Sequence, residues 1–205
     1  MKIIKGIKHQ DNPFVIPGSS RNDLPGFFKE MGYQIGAEIG VYKGWFSRKF
    51  CKAGLKIYAI DYWTPYPGFD RVEDARVERQ EYLYHRAWKL LSRYENATVV
   101  RKTSMEALKN FENESLDFVY IDGNHILKYV AEDIDGWSKK VRKGGTIAGH
   151  DYIHPEDFKK RKQPWAWENM QVKFAVDAYT QANRIKNWYV IGKDSDRCPS
   201  WFWIK

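Results

Sequence analysis

Four side chains in two short segments carry the most reactive chemistry of this sequence. They are Asp122 and His125 in Ile121-Asp122-Gly123-Asn124-His125, and His150 and Asp151 in Gly149-His150-Asp151-Tyr152. Imidazole titrates near neutral pH, so His125 and His150 are the candidates for taking a proton from an acceptor hydroxyl. Either could equally cap a loop or fill a polar niche. Two carboxylates with an imidazole also suit an oxygen-preferring divalent ion such as Mg²⁺ or Mn²⁺, which makes Asp122, His150 and Asp151 the candidate metal ligands. On these residues alone, metal assistance and an unaided histidine base both stay open.

A second chemical signal is Glu38-Ile39-Gly40-Val41-Tyr42-Lys43-Gly44. Gly40 permits a sharp turn and lets a ligand approach the backbone, and Gly44 can open a helix. The segment departs from the dinucleotide fingerprint, because Tyr42 stands where a second glycine would let a pyrophosphate touch the chain. A ligand without a pyrophosphate is therefore favoured. Asp61 closes the next apolar run, where an acid can accept both hydroxyls of a ribose or, more simply, cap the following loop. That loop, Tyr62 to Asp70, is aromatic and rich in proline and glycine, and reads as a lid or as surface packing. Trp165 and Trp167 read as the start of a core-facing helix, with acceptor binding as the other possibility.

These residues need a scaffold, and the sequence supplies an alternating one. Apolar strand-like runs occur at Gln34–Gly40, Lys56–Asp61, Ala97–Arg101, Leu116–Asp122 and Thr146–Gly149. Helical stretches lie between them. Leu24 to Met31 is a short helix, Trp45 to Lys52 a second and Met105 to Phe111 a third. Val72 to Tyr94 carries Leu83, Ala87, Leu90, Leu91 and Tyr94 on one face. The stripe Val130, Ile134, Trp137 and Val141 continues to a stop at Gly144-Gly145. Pro164 opens a last helix, and Trp188–Gly192 with Ser200–Ile204 reads as a hairpin. The expected fold is α/β: a doubly wound, mainly parallel sheet of about seven strands with a C-terminal antiparallel hairpin. Residues 1–205 are read as one domain, with 1–33 an N-terminal extension holding a short helix. Ligands of such sheets sit beyond the carboxyl ends of the strands, where Gly40 to Gly44, Asp61 to Trp63, Thr103 to Met105, Asp122 to His125 and His150 to Tyr152 fall.

Composition limits the partners. The formal net charge is +8 over 205 residues, compatible with a polyanion, but the basic residues are scattered. The densest group, Lys159, Lys160, Arg161 and Lys162, reads as a solvated loop or a phosphate patch. No apolar run approaches the roughly 18 residues of a membrane span, so no membrane partner is expected. The N-terminus lacks the pattern of a secretory leader. Cys51 and Cys198 read as free thiols in a reducing cytoplasm. Oligomeric state is not legible.

The order of Ala37-Glu38-Ile39-Gly40 to Gly44, Ile60-Asp61, Val119 to His125 and Gly144 to Tyr152 resembles the class I S-adenosylmethionine-dependent methyltransferases. More narrowly it resembles methyltransferase domain family 24, related to macrocin-type O-methyltransferases and cephalosporin hydroxylase-like proteins. The resemblance implies a cofactor set of Glu38, Gly40, Val41, Gly44, Asp61, Tyr62, Ser104, Met105 and Asp122. Glu38 and the Gly40 turn would hold the methionine part, Asp61 the ribose, and Ser104 with Met105 the adenine; many relatives carry an acid where Ser104 stands. Asp122 would lie beneath the sulfonium, beside the acceptor, and macrocin-type relatives hold a metal at matching positions. The implied activity is O-methylation of a small hydroxylated acceptor of sugar or natural-product type. A nucleic-acid methyltransferase is the first alternative, against which the Asn/Asp-Pro-Pro-aromatic segment is absent after the fourth strand. A non-catalytic nucleoside-binding module is the second.

Overall fold

The computed structural model of the chain describes residues 2–65, 75–160, 169–192, 196 and 198–205. Tyr66 to Asp70 of the aromatic loop, Arg161 and Lys162 of the basic run, and Trp165 and Trp167 lie outside the described residues.

Eight strands form one sheet. In spatial order they are β1 (Phe14–Val15), β7 (Trp188–Ile191), β8 (Ser200–Ile204), β6 (Val141–Gly149), β5 (Leu116–Ile121), β2 (Ile35–Ile39), β3 (Lys56–Asp61) and β4 (Ala97–Arg101). β8 runs antiparallel to both β6 and β7, and every other neighbouring pair is parallel. The mainly parallel sheet and its C-terminal hairpin match the sequence reading, with one strand added. Phe14–Val15 extends the edge by pairing with β7, a match of two residues too short to leave an alternating pattern.

β5 shows why the sheet must be covered on both sides. All six of its residues are buried. Phe118 and Tyr120 enter one core with Phe27, Phe28 and Phe50, while Val119 and Ile121 enter another with Ile134, Trp137 and Val176. Alternation places successive side chains on opposite faces, so a continuous apolar run needs helices on both. The first core is closed by α1 (Lys2–Gly6), α2 (Leu24–Glu30), α3 (Ser47–Lys52) and α4 (Val77–Leu91), the second by α5 (Ser104–Leu108), α6 (Leu127–Lys140) and α8 (Val172–Ala182). α7 (Pro155–Lys160) follows β6. No helix among the described residues is long and apolar enough to cross a membrane.

The expected helix stop at Gly144-Gly145 is corrected: α6 ends at Lys140 and β6 begins at the next residue. The glycines serve the sheet instead. The Gly144 N–H donates to Lys205 O at 2.7 Å, and a Cβ on Gly145 would stand 2.4 Å from Asp117 O, at the irregularity where β6 meets β5. Cys51 and Cys198 are both buried thiols.

Candidate active site

The chain leaves β2 toward β3 on one side and enters β5 from the other, so β2 and β5 form the switch in strand order. Gly40 marks this point. Its φ is +87°, and a Cβ there would sit 2.1 Å from Asp122 O and 2.5 Å from Gly123 Cα. Only glycine lets the two turns touch. Over them opens a cavity of about 770 Å³.

Glu38, Gly40, Val41, Asp61, Tyr62, Ser104, Met105, Asp122, His125, His150 and Asp151 all border that cavity, as the sequence places them. Gly44 does not. Its φ of +76° turns the chain against α4, where a Cβ would meet Leu91 and Ala87 at 3.2–3.4 Å, so its role is packing. Among the described residues, the cavity wall holds six acidic side chains (Glu38, Asp61, Asp122, Glu132, Asp133, Asp151) against three Lys or Arg side chains (Arg21, Lys43, Lys102). On a chain of net charge +8, this excess of acidic side chains sets the cavity apart from its surroundings.

Glu38 is 1% exposed and accepts a hydrogen bond from the Ser47 hydroxyl. Burial pushes its carboxyl up to about 8, because the Ser47 bond and the Arg21 charge only partly offset the lost hydration. Asp61 is committed to the turn beside it: Oδ2 accepts from the Val41 and Tyr42 amides at 2.8 Å each, and Oδ1 from the Trp63 amide at 3.2 Å. Its expected ribose contact is thus left to Oδ1, while Oδ2 holds the glycine turn in shape. Tyr42 and Trp63 have φ of 55° and 43°, and Trp63 Nε1 donates to Tyr42 O at 2.9 Å, which braces the two turns against each other.

The acid–imidazole cluster forms at the ends of β5 and β6. Asp151 sits in the left-handed region, with φ of 56°, which aspartate tolerates better than most residues. Its two oxygens are shared: Oδ2 lies 2.9 Å from His125 Nε2 and Oδ1 lies 3.0 Å from His150 Nδ1. Burial would raise the Asp151 carboxyl, but the two imidazoles hold it well below the ordinary range. His150 is moved the other way: burial disfavours its charge, Asp151 and Asp122 favour it, and the carboxylates win. One ligating atom each from Asp122, His125 and Asp151 lies within 4.8 Å of the others. His125 thus joins the two carboxylates, and His150 stands beside them, its Nδ1 3.0 Å from Asp151 Oδ1 and 4.0 Å from Asp122 Oδ1.

Two residues of the site escape the sequence reading. Arg21 comes from a 3-10 turn (Arg21–Asp23) whose capping box joins Ser20 and Asp23. Its guanidinium lies 3.3 Å from Asp122 Oδ2 and 4.5 Å from the centroid of the Phe46 ring. Burial works against that charge, but Tyr120, Asp122, Glu38 and Asp151 hold it protonated. Asp133, on α6, is 4% exposed and accepts from the Ser104 hydroxyl. Burial pushes its carboxyl up to about 7. A signal for Asp133 existed, since an acid at that place interrupts the buried stripe of Val130, Ile134 and Trp137.

Comparison with known proteins places this geometry. A methyltransferase domain family, family 24, matches residues 37–152. The curated relative y4gI, an uncharacterized protein of Sinorhizobium fredii, is 28% identical over 123 residues; the match takes in 56% of this chain but 12% of that much longer protein. Among solved structures, the O-methyltransferase TomG of Streptomyces achromogenes, involved in tomaymycin synthesis and in complex with S-adenosylmethionine, superposes with a TM-score of 0.61 at 12% identity, covering 90% of this chain and 78% of its own. The O-methyltransferase of Bacillus cereus in complex with S-adenosylhomocysteine gives 0.58 at 13%, covering 90% and 80%. The N-methyltransferase NodS of Bradyrhizobium japonicum gives 0.58 at 14%, covering 90% and 94%. The match over the strands, turns and acid–imidazole cluster described above puts the chain in the methyltransferase domain family 24, among the class I S-adenosylmethionine-dependent methyltransferases.

Proposed function

We propose that this chain methylates a hydroxyl of a small molecule, using S-adenosylmethionine bound in the switch-point cavity. The observation that carries the reading is the acid-rich wall of the cavity: among its described lining residues, even with Glu38 and Asp133 protonated, four acids face three Lys or Arg side chains, and Glu38 is set to ionise beside an ammonium or a sulfonium. The same wall opposes a phosphate backbone, which weighs against nucleic acid as acceptor.

The cofactor supplies an electrophilic methyl group; the acceptor oxygen bonds to it as the sulfur–methyl bond breaks, and that electron pair stays on sulfur. The chain's residues hold the parts and move the proton. Glu38 and the Gly40 turn face the amino-acid end and Asp61 the ribose. Asp122 and Arg21 border the acceptor side. His150 Nδ1–H donates to Asp151, which fixes the ring's tautomer and turns Nε2 into the proton acceptor. Asp151 then stabilises the imidazolium that forms. His125 braces the other Asp151 oxygen.

The residues also fit a divalent ion. Asp122, His125 and Asp151 offer the two carboxylates and one imidazole that Mg²⁺ or Mn²⁺ accepts. An ion held there would lower the pKa of the acceptor hydroxyl.

Methyl-labelled cofactor incubated with the protein and a metabolite extract tests the reading. Label in an ether of a small molecule supports it. Label only in amines, or in RNA or DNA at physiological salt, overturns it.

A further inference from the structure

The wall of the cavity between α5 and α6 contains a buried polar triad that methyl transfer does not use. Trp137 Nε1 donates to the Ser104 hydroxyl at 2.8 Å, and the same hydroxyl donates to Asp133 Oδ1. Trp137 is fully buried and anchored in the core by Ile134 and Phe111, so the chain of bonds starts from a fixed point. The Ser104 proton is therefore spent on Asp133, and its oxygen already accepts from the indole. The side chain expected from sequence to meet the nucleobase is committed inside the wall.

Asp133 is different. It is 4% exposed, it borders the cavity, and its Oδ2 has no hydrogen bond among the described residues. A buried carboxylate with one oxygen satisfied and one open to a cavity demands a donor from whatever fills that cavity. Its helical position fixes it there, since Val130, Ile134 and Trp137 pin the same face of α6 to the sheet.

We propose that Asp133 selects the nucleobase of the cofactor, its Oδ2 accepting a hydrogen bond from the exocyclic amine of adenine. The inference rests on the proposed seating of S-adenosylmethionine in this cavity and adds which atom reads the base. A base with a carbonyl in place of the amine would bring an acceptor against an acceptor. A site built to bond an N–H rejects the analogue lacking it far more strongly than an apolar pocket rejects a change of size.

Calorimetry at about pH 8, above the raised carboxyl pKa, compares S-adenosylhomocysteine with its deaminated analogue S-inosylhomocysteine. Wild type should prefer the amine by at least about tenfold. In Asp133→Asn the preference should vanish or reverse, because the amide can donate to the carbonyl. Asp133→Ser, which removes the carboxylate without adding bulk, should bring the two ligands to near-equal affinity and serves if the asparagine variant does not fold. An undiminished preference in a folded variant, or equal binding by wild type, overturns the inference. Binding of neither ligand by wild type removes the seating on which it rests, and so separates the two failures.

Discussion

The guanidinium of Arg21 lies 3.3 Å from the carboxylate of Asp122, joining residues 101 positions apart across the mouth of the cavity. Arg21 is held at the other side by the Phe46 ring, and its backbone N–H donates to Asp196 Oδ2 at 2.8 Å. The segment before α2 thus reaches the side of the cavity proposed for the acceptor. Removing Arg21 leaves Asp122 against Asp151 with one cation fewer, at a cost of about 1–3 kcal/mol in a partly buried pair. Arg21→Ala should therefore lower kcat/KM for methyl transfer at least about tenfold, with a smaller effect on the S-adenosylhomocysteine Kd. Arg21→Lys should recover part of the loss. Equal losses in both constants would place Arg21 on the cofactor.

Asp61 shapes the glycine turn through two amides and, in the proposed seating of the cofactor, meets the ribose with what remains. Asp61→Ala should weaken S-adenosylhomocysteine binding at least about tenfold, the expected value of a hydrogen bond to a charged group. It should also lower the melting temperature, because the Val41 and Tyr42 amides lose their acceptor. An unchanged Kd in a folded variant would confine Asp61 to the turn.

Glu38 gives the pH dependence. Its carboxyl is pushed up to about 8, so it is mostly protonated at neutral pH in the free protein. An ammonium or sulfonium bound beside it favours the ionised form and lowers that pKa, so binding must release a proton. Affinity for S-adenosylmethionine should rise with pH until about 8 and level off above it. Calorimetry at pH 7 in buffers of different ionisation enthalpy should read a net proton release. Glu38→Gln should remove the larger part of the release, leaving what Asp133 contributes near its own pKa of about 7; an undiminished release in this variant would move the proton to another group.

The metal is decided by removal. Chelation should abolish turnover, and Mg²⁺ or Mn²⁺ should restore it, because Asp122, His125 and Asp151 form a ready donor set. Asp122→Asn should lose the metal response. Full turnover in excess chelator would leave His150, oriented by Asp151, as the whole of the proton-transfer machinery.

Sequence pattern made the sheet legible because alternating apolar runs and amphipathic stretches admit few arrangements. It also placed Gly40, Asp61, Asp122 and His150, since residues just past parallel strands must gather at one rim. What it could not show depends on the third dimension. Arg21 meets Asp122 through a turn with no periodic signal. The Gly144-Gly145 pair reads as a helix stop, yet answers the close approach of Asp117 and the pairing to Lys205. His125 and His150 each meet a different oxygen of Asp151, a division that no spacing in the sequence announces. Asp133 was legible in principle, as the one acid on a buried helical stripe.

The proposed function requires that the switch-point cavity seat a sulfur nucleoside and no dinucleotide. Val41 and Tyr42 already give their amides to Asp61, so neither is available to a pyrophosphate, and Tyr42 fills the position where a dinucleotide turn needs glycine. Titration calorimetry with S-adenosylmethionine, S-adenosylhomocysteine and NAD measures this directly. Saturable binding of both sulfur nucleosides and none of NAD is expected; saturable binding of NAD with no heat from either sulfur nucleoside would overturn the proposed function.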